Sequence, residues 1–235
     1  MKKMKFGLST KIIACILTVQ IVVMGVLVLF IGNAITNNTK QSTTNNMETV
    51  VEERSRIIDN YVQEMEQTIT AYSRAGEILD VLKNPTDEAA VAAAQAYTEK
   101  FSADVSNLEG LYVSEWNTHV LAHTNAAVVG ITTREGDPLK ALQDALLAAD
   151  GVYNTGIIIS PASGQQIVSL YRAVFDESGN PVGLVGGGVF TTGLIQLLDS
   201  LTMQGMENAE YRMVNATNGQ YIFCEDSEKV ATEAE

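Results

Sequence analysis

The spacing of apolar residues changes character three times along the chain. Residues 12–32 carry no charge, and Gln20 is their strongest polar interruption. At ~1.5 Å of rise per residue, a helix of that length spans about 30 Å, the thickness of a bilayer's hydrocarbon core. This predicts a transmembrane helix preceded by a basic flank at 1–11. The alternative is a cleaved leader ending near Gly32-Asn33-Ala34, although leader cores usually run only ~7–15 residues. Residues 33–46 are polar and rich in Asn and Thr, and read as a juncture. From Met47 the apolar spacing alternates four and three: Val51, Arg54, Ile58, Tyr61, Met65, Thr68, Tyr72, Ala75, Leu79 and Leu82. That is a heptad seam, with Arg54 and Thr68 its imperfect members, and it predicts one long helix ending at Asn84-Pro85. The stretch 33–82 thus reads as juncture and stalk. The seam fits packing on the chain's own domain or on a second copy.

Thr86 is the expected cap of a second helix, with Asp87 and Glu88 in its first turn and an Ala-rich body over 89–101. The period then falls to two. Strands are expected at 108–116 and 119–124 around an Asn117-Thr118 turn, followed by a loop over 125–136. Asp137-Pro138 opens a helix with Leu139, Leu142, Leu146 and Leu147 as its apolar face, stopped by Gly151. Strands at 155–160, 166–175 and 181–190 and a short helix at 192–201 complete the unit. This order predicts an α+β fold, an antiparallel sheet of about five strands with helices packed on it. A further hairpin is expected at 211–216 and 220–224 around Asn218-Gly219. Because an isolated hairpin is marginal in water, it reads as the opening of a second, similar module at 205–235 that continues past Glu235.

Charge sharpens the division. The net charge is −13, but residues 1–32 hold Lys2, Lys3, Lys5 and Lys11 with no acid, which leaves −17 for the rest. The positive-inside rule places that flank in the cytoplasm and the body outside. An acidic body argues against a nucleic-acid partner. Cys15 and Cys224 lie too far apart in character and position to suggest a disulfide framework, and two histidines cannot build a His-rich metal site. GxSxG, HExxH and phosphate-loop motifs are absent, so neither catalysis nor a cofactor is expected. An anchored extracellular enzyme and a structural stalk are the competing classes.

Two segments carry a family resemblance. Val120-Leu-Ala-His-Thr-Asn-Ala-Ala-Val-Val-Gly130 is similar to a turn, strand and helical loop ending in Gly. Gly164-Gln-Gln-Ile-Val-Ser-Leu-Tyr-Arg-Ala-Val174 leads into Asp176-Glu-Ser-Gly-Asn-Pro-Val-Gly-Leu-Val-Gly-Gly186. With the anchor and the stalk, they resemble the double-Cache, PAS-like extracytoplasmic region of bacterial transmembrane receptors. The resemblance implies a membrane-distal module at 83–204 that binds a small molecule and a single-pass anchor in the cytoplasmic membrane. It further implies a chemotaxis output, with a histidine kinase or diguanylate cyclase as the alternative, while the uninterrupted heptad itself points to a homodimer through the long helix. The amino-acid-sensing members' pattern is mostly missing. Arg134 fits its Arg, but Pro138, Leu139 and Ile158 stand near its aromatic positions. Gly188 stands near its Asp, where no acceptor for an ammonium can then arise.

Six residues are candidates to line the pocket. Trp116, the only tryptophan, would stack on a ligand or fill the core. His123 would bond a ligand or titrate near ~6.5. Arg134, in the covering loop, suits an anionic ligand by bidentate pairing, against the alternative of a solvated surface arginine. Tyr153 follows the Gly151 stop and is expected to turn inward. On residues 166–175, alternation puts Ile167, Ser169, Tyr171 and Ala173 on one face and Val168, Leu170, Arg172 and Val174 on the other. Ser169 and Tyr171 therefore share a face. Gly186-Gly187-Gly188 permits close approach of a neighbouring group.

Overall fold

The computed structural model describes residues 7–200, 212–224 and 226–235. The chain divides into two compact units, Met1–Arg56 and Ile57–Glu235. Helix α1 runs from Leu8 to Ser73. In the first unit its apolar residues from Ile12 to Ile31 are all exposed, and this stretch is long and apolar enough to cross a membrane. Residues 33–46, expected as a juncture, are helical. Asn and Thr cost at most ~0.7 kcal/mol each relative to Ala, and no Pro breaks the run.

In the second unit the seam does not continue to Leu82. The amides of Arg74 and Ala75 bond the carbonyls of Ala71 and Tyr72, both at 3.2 Å. This tightens the last turn. Ala75 is extended (φ −65°, ψ 143°), and α2 restarts over Gly76–Lys83. The break shifts the phase. Ile78 and Val81 are fully buried, while Leu79, a seam position, is half-buried. Likewise Ile69, not its neighbour Thr68, fills the core. Asp87 rather than Thr86 caps α3 (Glu88–Ala103), its carboxylate accepting from the Ala89 amide at 2.9 Å.

The sheet contains β1 (Leu108–Glu115), β2 (Val120–His123), β3 (Val152–Ile159), β4 (Gln166–Phe175) and β5 (Pro181–Phe190). They are antiparallel in the order β2-β1-β5-β4-β3. Helix α4 (Gly136–Ala148) joins β2 to β3, and α5 (Thr191–Asp199) follows β5. The α+β fold is as the periodicity predicts. β3 begins three residues early and takes in Tyr153, because a bulge with Gly156 at φ +80° keeps the pairing with β4 going. In α4, Leu142 and Leu146 are buried but Leu147 is exposed, since a single helical stripe reaches the sheet. The C-terminal hairpin pairs β6 (Met213–Val214) with β7 (Tyr221–Phe223), and Gly219 in its turn has φ +71°. Tyr211 and Leu201, expected within elements, lie outside the described residues.

The two faces of the sheet differ. On one, Leu111, Val113, Val168, Leu170, Val185 and Val189 pack against Met65, Ile69, Tyr72, Ile78 and Val81 from the helices. On the other, α4 covers only part: Leu142 and Leu146 meet Tyr171, Ala173 and Leu184. The alternation read along 166–175 thus matches the two faces. Strand β5 is central and glycine-rich because its neighbours leave no room. A Cβ at Gly183 would lie 2.5 Å from the Ser114 carbonyl oxygen, with Leu82 pressing from the helical side. Backbone cannot step aside as a side chain can. Gly183→Ala is expected to lower stability by about 1–3 kcal/mol, read as an earlier urea midpoint; an unchanged midpoint would contradict this packing.

Candidate functional site

Where α4 ends its cover, the second face opens into a cavity of about 420 Å³. Its floor is the sheet: Ile167, Ser169 and Tyr171 from β4, Gly188 from β5, and Gly110 and Tyr112 from β1. One wall is His123 with the following loop, through Asn125, Val128, Thr133 and Arg134. The other is Ile158 and the β3–β4 turn at Ser160, Pro161 and Ala162.

The covering loop is held by its backbone. The Gly130 amide bonds the Val120 carbonyl at 2.8 Å, and the Val120 amide bonds the Ile131 carbonyl at 3.0 Å. The tight turn after β1 puts Thr118 at φ 65° and buries it. Its hydroxyl donates to the Arg134 carbonyl and accepts from the Arg134 amide, both at 3.0 Å. This reciprocal pair fixes where Arg134 enters the pocket. Further along, Gln95 of α3 closes the β2 edge. Its amide accepts from the His123 N–H at 3.0 Å and donates to the His123 carbonyl at 2.9 Å.

The Arg134 guanidinium reaches the floor. Its Nη2 donates to the Tyr171 hydroxyl at 3.1 Å, and its carbon lies 5.1 Å from that ring's centroid. Burial pulls its pKa down, but the Tyr171 hydrogen bond and the phenols of Tyr171, Tyr112 and Tyr153 outweigh it, and the net shift is upward. The cation is permanent at any physiological pH. No carboxylate among the described residues ion-pairs with it. Burial, and then Tyr171, drive the Tyr112 phenol well above its ordinary value. Tyr171 accepts from Arg134, so its own proton points elsewhere in the cavity.

His123 stacks on Tyr112, with ring centroids 5.4 Å apart and planes 10° apart. Its Nδ1 accepts from the Asn125 amide at 2.8 Å. The hydrogen bond assigns the neutral ring's proton to Nε2. Burial lowers its pKa, against an upward pull from Glu109. The unfolded chain therefore takes up this proton at a higher pH than the folded one. Stability present at neutral pH should decline as pH falls below ~6.5, and the decline should end below the folded value. His123→Asn keeps an acceptor and removes the titration. The urea midpoint lost between pH 7 and pH 5 should be smaller in this variant than in wild type; equal losses would refute the assignment.

Of the six sequence candidates, His123, Arg134, Ser169 and Tyr171 come together around the cavity. Trp116 and Tyr153 stand beside it, half-buried in the α4 cluster. Trp116's carbonyl accepts from Gln143 Nε2 at 3.0 Å, and Tyr153 faces Tyr171 across β3 and β4 with centroids 6.5 Å apart. Glu109 and Tyr112 were not among the candidates. Tyr112 was legible by alternation with Leu111 and Val113; Glu109 was not, because a bulge moves it. Among the described residues, no three His, Cys, Asp or Glu side chains gather as a metal site.

No family model matches the chain, and no curated protein matches it in sequence. The fold has clear relatives among solved structures. The sensor domain of the V. cholerae histidine kinase DctB matches 83% of this chain and 71% of its own, with TM-score 0.66 and 11% identity. The ligand-binding domain of the Pseudomonas fluorescens chemoreceptor CtaA, in complex with L-alanine, matches over 80% and 75%, with TM-score 0.56 and 19% identity. The sensory domain of the Campylobacter jejuni chemoreceptor Tlp3, with isoleucine bound, matches over 83% and 76%, with TM-score 0.60 and 12% identity. The fold is that of Cache-type sensor domains from chemoreceptors and histidine kinases. At these identities the likeness is one of fold.

Proposed function

We propose that the chain is the sensor region of a membrane-anchored receptor, which binds a small anionic molecule beneath the Arg134 loop. The observation that carries this reading is an arginine held through its backbone by Thr118, whose guanidinium bonds Tyr171 and lines a cavity with no ion-paired carboxylate for it among the described residues. His123, Ser169 and Tyr171 contact the guest, while Trp116 and Tyr153 support the floor. Residues 12–32 cross the cytoplasmic membrane with the basic flank inside. Residues 83–204 form the distal module, and 205–235 begin a proximal one. Binding shifts α1, in a homodimer through the long helix, and the output is chemotaxis or, as the second reading, a histidine kinase. The solved neighbours include both kinds of receptor and so favour neither.

The test is a thermal-shift screen of the full chain in nanodiscs against small mono- and dicarboxylates and amino acids. At least one should raise Tm in a saturable manner, and a panel without any saturable shift would overturn the reading. For the relay, cysteines at Val51, with Cys15 and Cys224 replaced, should crosslink two copies, and the yield should change with the ligand. Val51 is exposed, whereas Met65 is buried against its own sheet and cannot report on a partner.

A further inference from the structure

We infer that the chain holds a second binding site, in the groove between α3 and the covering loop, for a linear organic dication with an apolar middle. The site is separate from the Arg134 cavity. The loop after His123 serves both. Asn125 and Val128 line the cavity, whereas Ala126 and Val129 line the groove, which has a volume of about 560 Å³. Small-molecule sites commonly enclose about 300–1,000 Å³. Val91 and Ala92 of α3 and Leu121 of β2 complete its apolar walls.

Along α3 the groove is lined by Glu88, Val91, Ala92, Gln95 and Glu99. Steps of three and four bring all of them to one helical face. The stripe therefore has an acid at each end and apolar side chains between. Roughly 16 Å, three turns of helix, separates the two acids. Gln95 interrupts the stripe, but its amide is already committed. It accepts from the His123 N–H, and its Nε2 donates both to the His123 carbonyl and to Glu99 Oε1, the latter at 2.7 Å. That bond holds Glu99 at its end of the groove. It also ties the groove to the backbone that carries His123 into the cavity wall. Among the described residues neither Glu88 nor Glu99 forms an ion pair, and no Lys, Arg or His lines the groove. Charge and shape together select the guest. An anion meets two like charges, and a monocation answers one of them. A linear dication answers both and lays its methylenes on Val91, Ala92 and Val129, which removes apolar surface from water.

The test is calorimetric titration of the full chain in nanodiscs of zwitterionic lipid, with the heats of empty discs subtracted. The probes are linear α,ω-diamines from 1,3-diaminopropane to 1,8-diaminooctane, and 8-amino-1-octanol, in which one ammonium becomes a hydroxyl. The octane diamine should bind about tenfold more tightly than the propane diamine, which cannot reach both ends. It should bind about threefold to fivefold more tightly than the amino alcohol, the usual worth of one exposed ion pair. Glu88→Gln and Glu99→Gln should each bring the diamine to the level of the amino alcohol; E99Q keeps an acceptor for Gln95. Ala92→Phe, at an exposed helical position, should fill the groove and abolish binding with an unchanged urea midpoint. Absence of saturable binding, equal affinity for diamine and amino alcohol, or affinity indifferent to chain length would overturn the inference. So would diamine binding that survives E88Q, E99Q and A92F, since the dication would then sit elsewhere. None of these outcomes bears on the Arg134 site, which is read with anionic probes.

Discussion

Arg134→Met abolishes ligand binding at concentrations that saturate the wild type. Methionine keeps the apolar stem against Tyr171 but supplies neither charge nor donors. Truncating one partner of a buried, hydrogen-bonded charge pair costs about 2–5 kcal/mol, roughly 30-fold or more in Kd. Arg134→Lys should fall between, since an ammonium restores the charge but not the planar fork that meets a carboxylate with two parallel bonds. The fold should survive both changes, because the loop is fastened by the backbone of Gly130 and Arg134 and by the Thr118 hydroxyl. Calorimetric titration of the three proteins with the best-binding probe reads the effect. Wild-type affinity in the methionine variant would place the ligand elsewhere.

The largest loss of stability should come from Tyr72→Ala. Tyr72 is fully buried where α1 meets α3 and the sheet. Its ring lies 6.0 Å from Tyr97 and 5.4 Å from Phe101, centroid to centroid. Its hydroxyl lies 2.6 Å from that of Thr98, which itself donates to the Ala94 carbonyl, so Tyr72 is the donor. Burial drives this phenol far above its ordinary pKa, so it stays protonated in that role. Removing an aromatic of this size costs about 3–5 kcal/mol, against a usual total of about 5–15 for a domain. Tyr72→Phe removes only the hydroxyl and should cost about 1 kcal/mol, since the Thr98 hydroxyl keeps its bond to the Ala94 carbonyl. Urea unfolding of both variants checks the ratio. Equal effects would mean that the hydrogen bond, and not the ring, holds α1 to the module.

Much of the fold was legible because it rests on periodicity. The switch from a period near 3.5 to one of two marks where α3 gives way to β1, and alternation along 166–175 assigns Ser169 and Tyr171 to the open face. What the sequence concealed are local departures from period. The break at Arg74-Ala75 carries no proline, and it shows only in the structure, where Ala75 is extended and Ile78 and Val81 join Leu82 in the core while Leu79 does not. The polar run 33–46 looks like a linker by composition, yet contains nothing that stops a helix. The site was partly legible for the same reason. Arg134 stands out as a loop cation after a Thr-Thr pair. Glu109 does not, since its direction depends on one unpaired step between Leu108 and Gly110, for which Gly110 beside an acid is the sole sequence sign. Trp116 and Tyr153 attracted notice as large aromatics, and the structure sets them in the apolar cluster under α4.

The account's central claim is that a small ligand sits between the Arg134 loop and the sheet. A crystal structure of the chain with the probe that most raises Tm tests it directly. The account predicts the ligand's anionic group within hydrogen-bonding distance, about 3 Å, of the Arg134 guanidinium, over the floor formed by Ser169 and Tyr171. A ligand bound at another surface, with the Arg134 cavity empty, would contradict it.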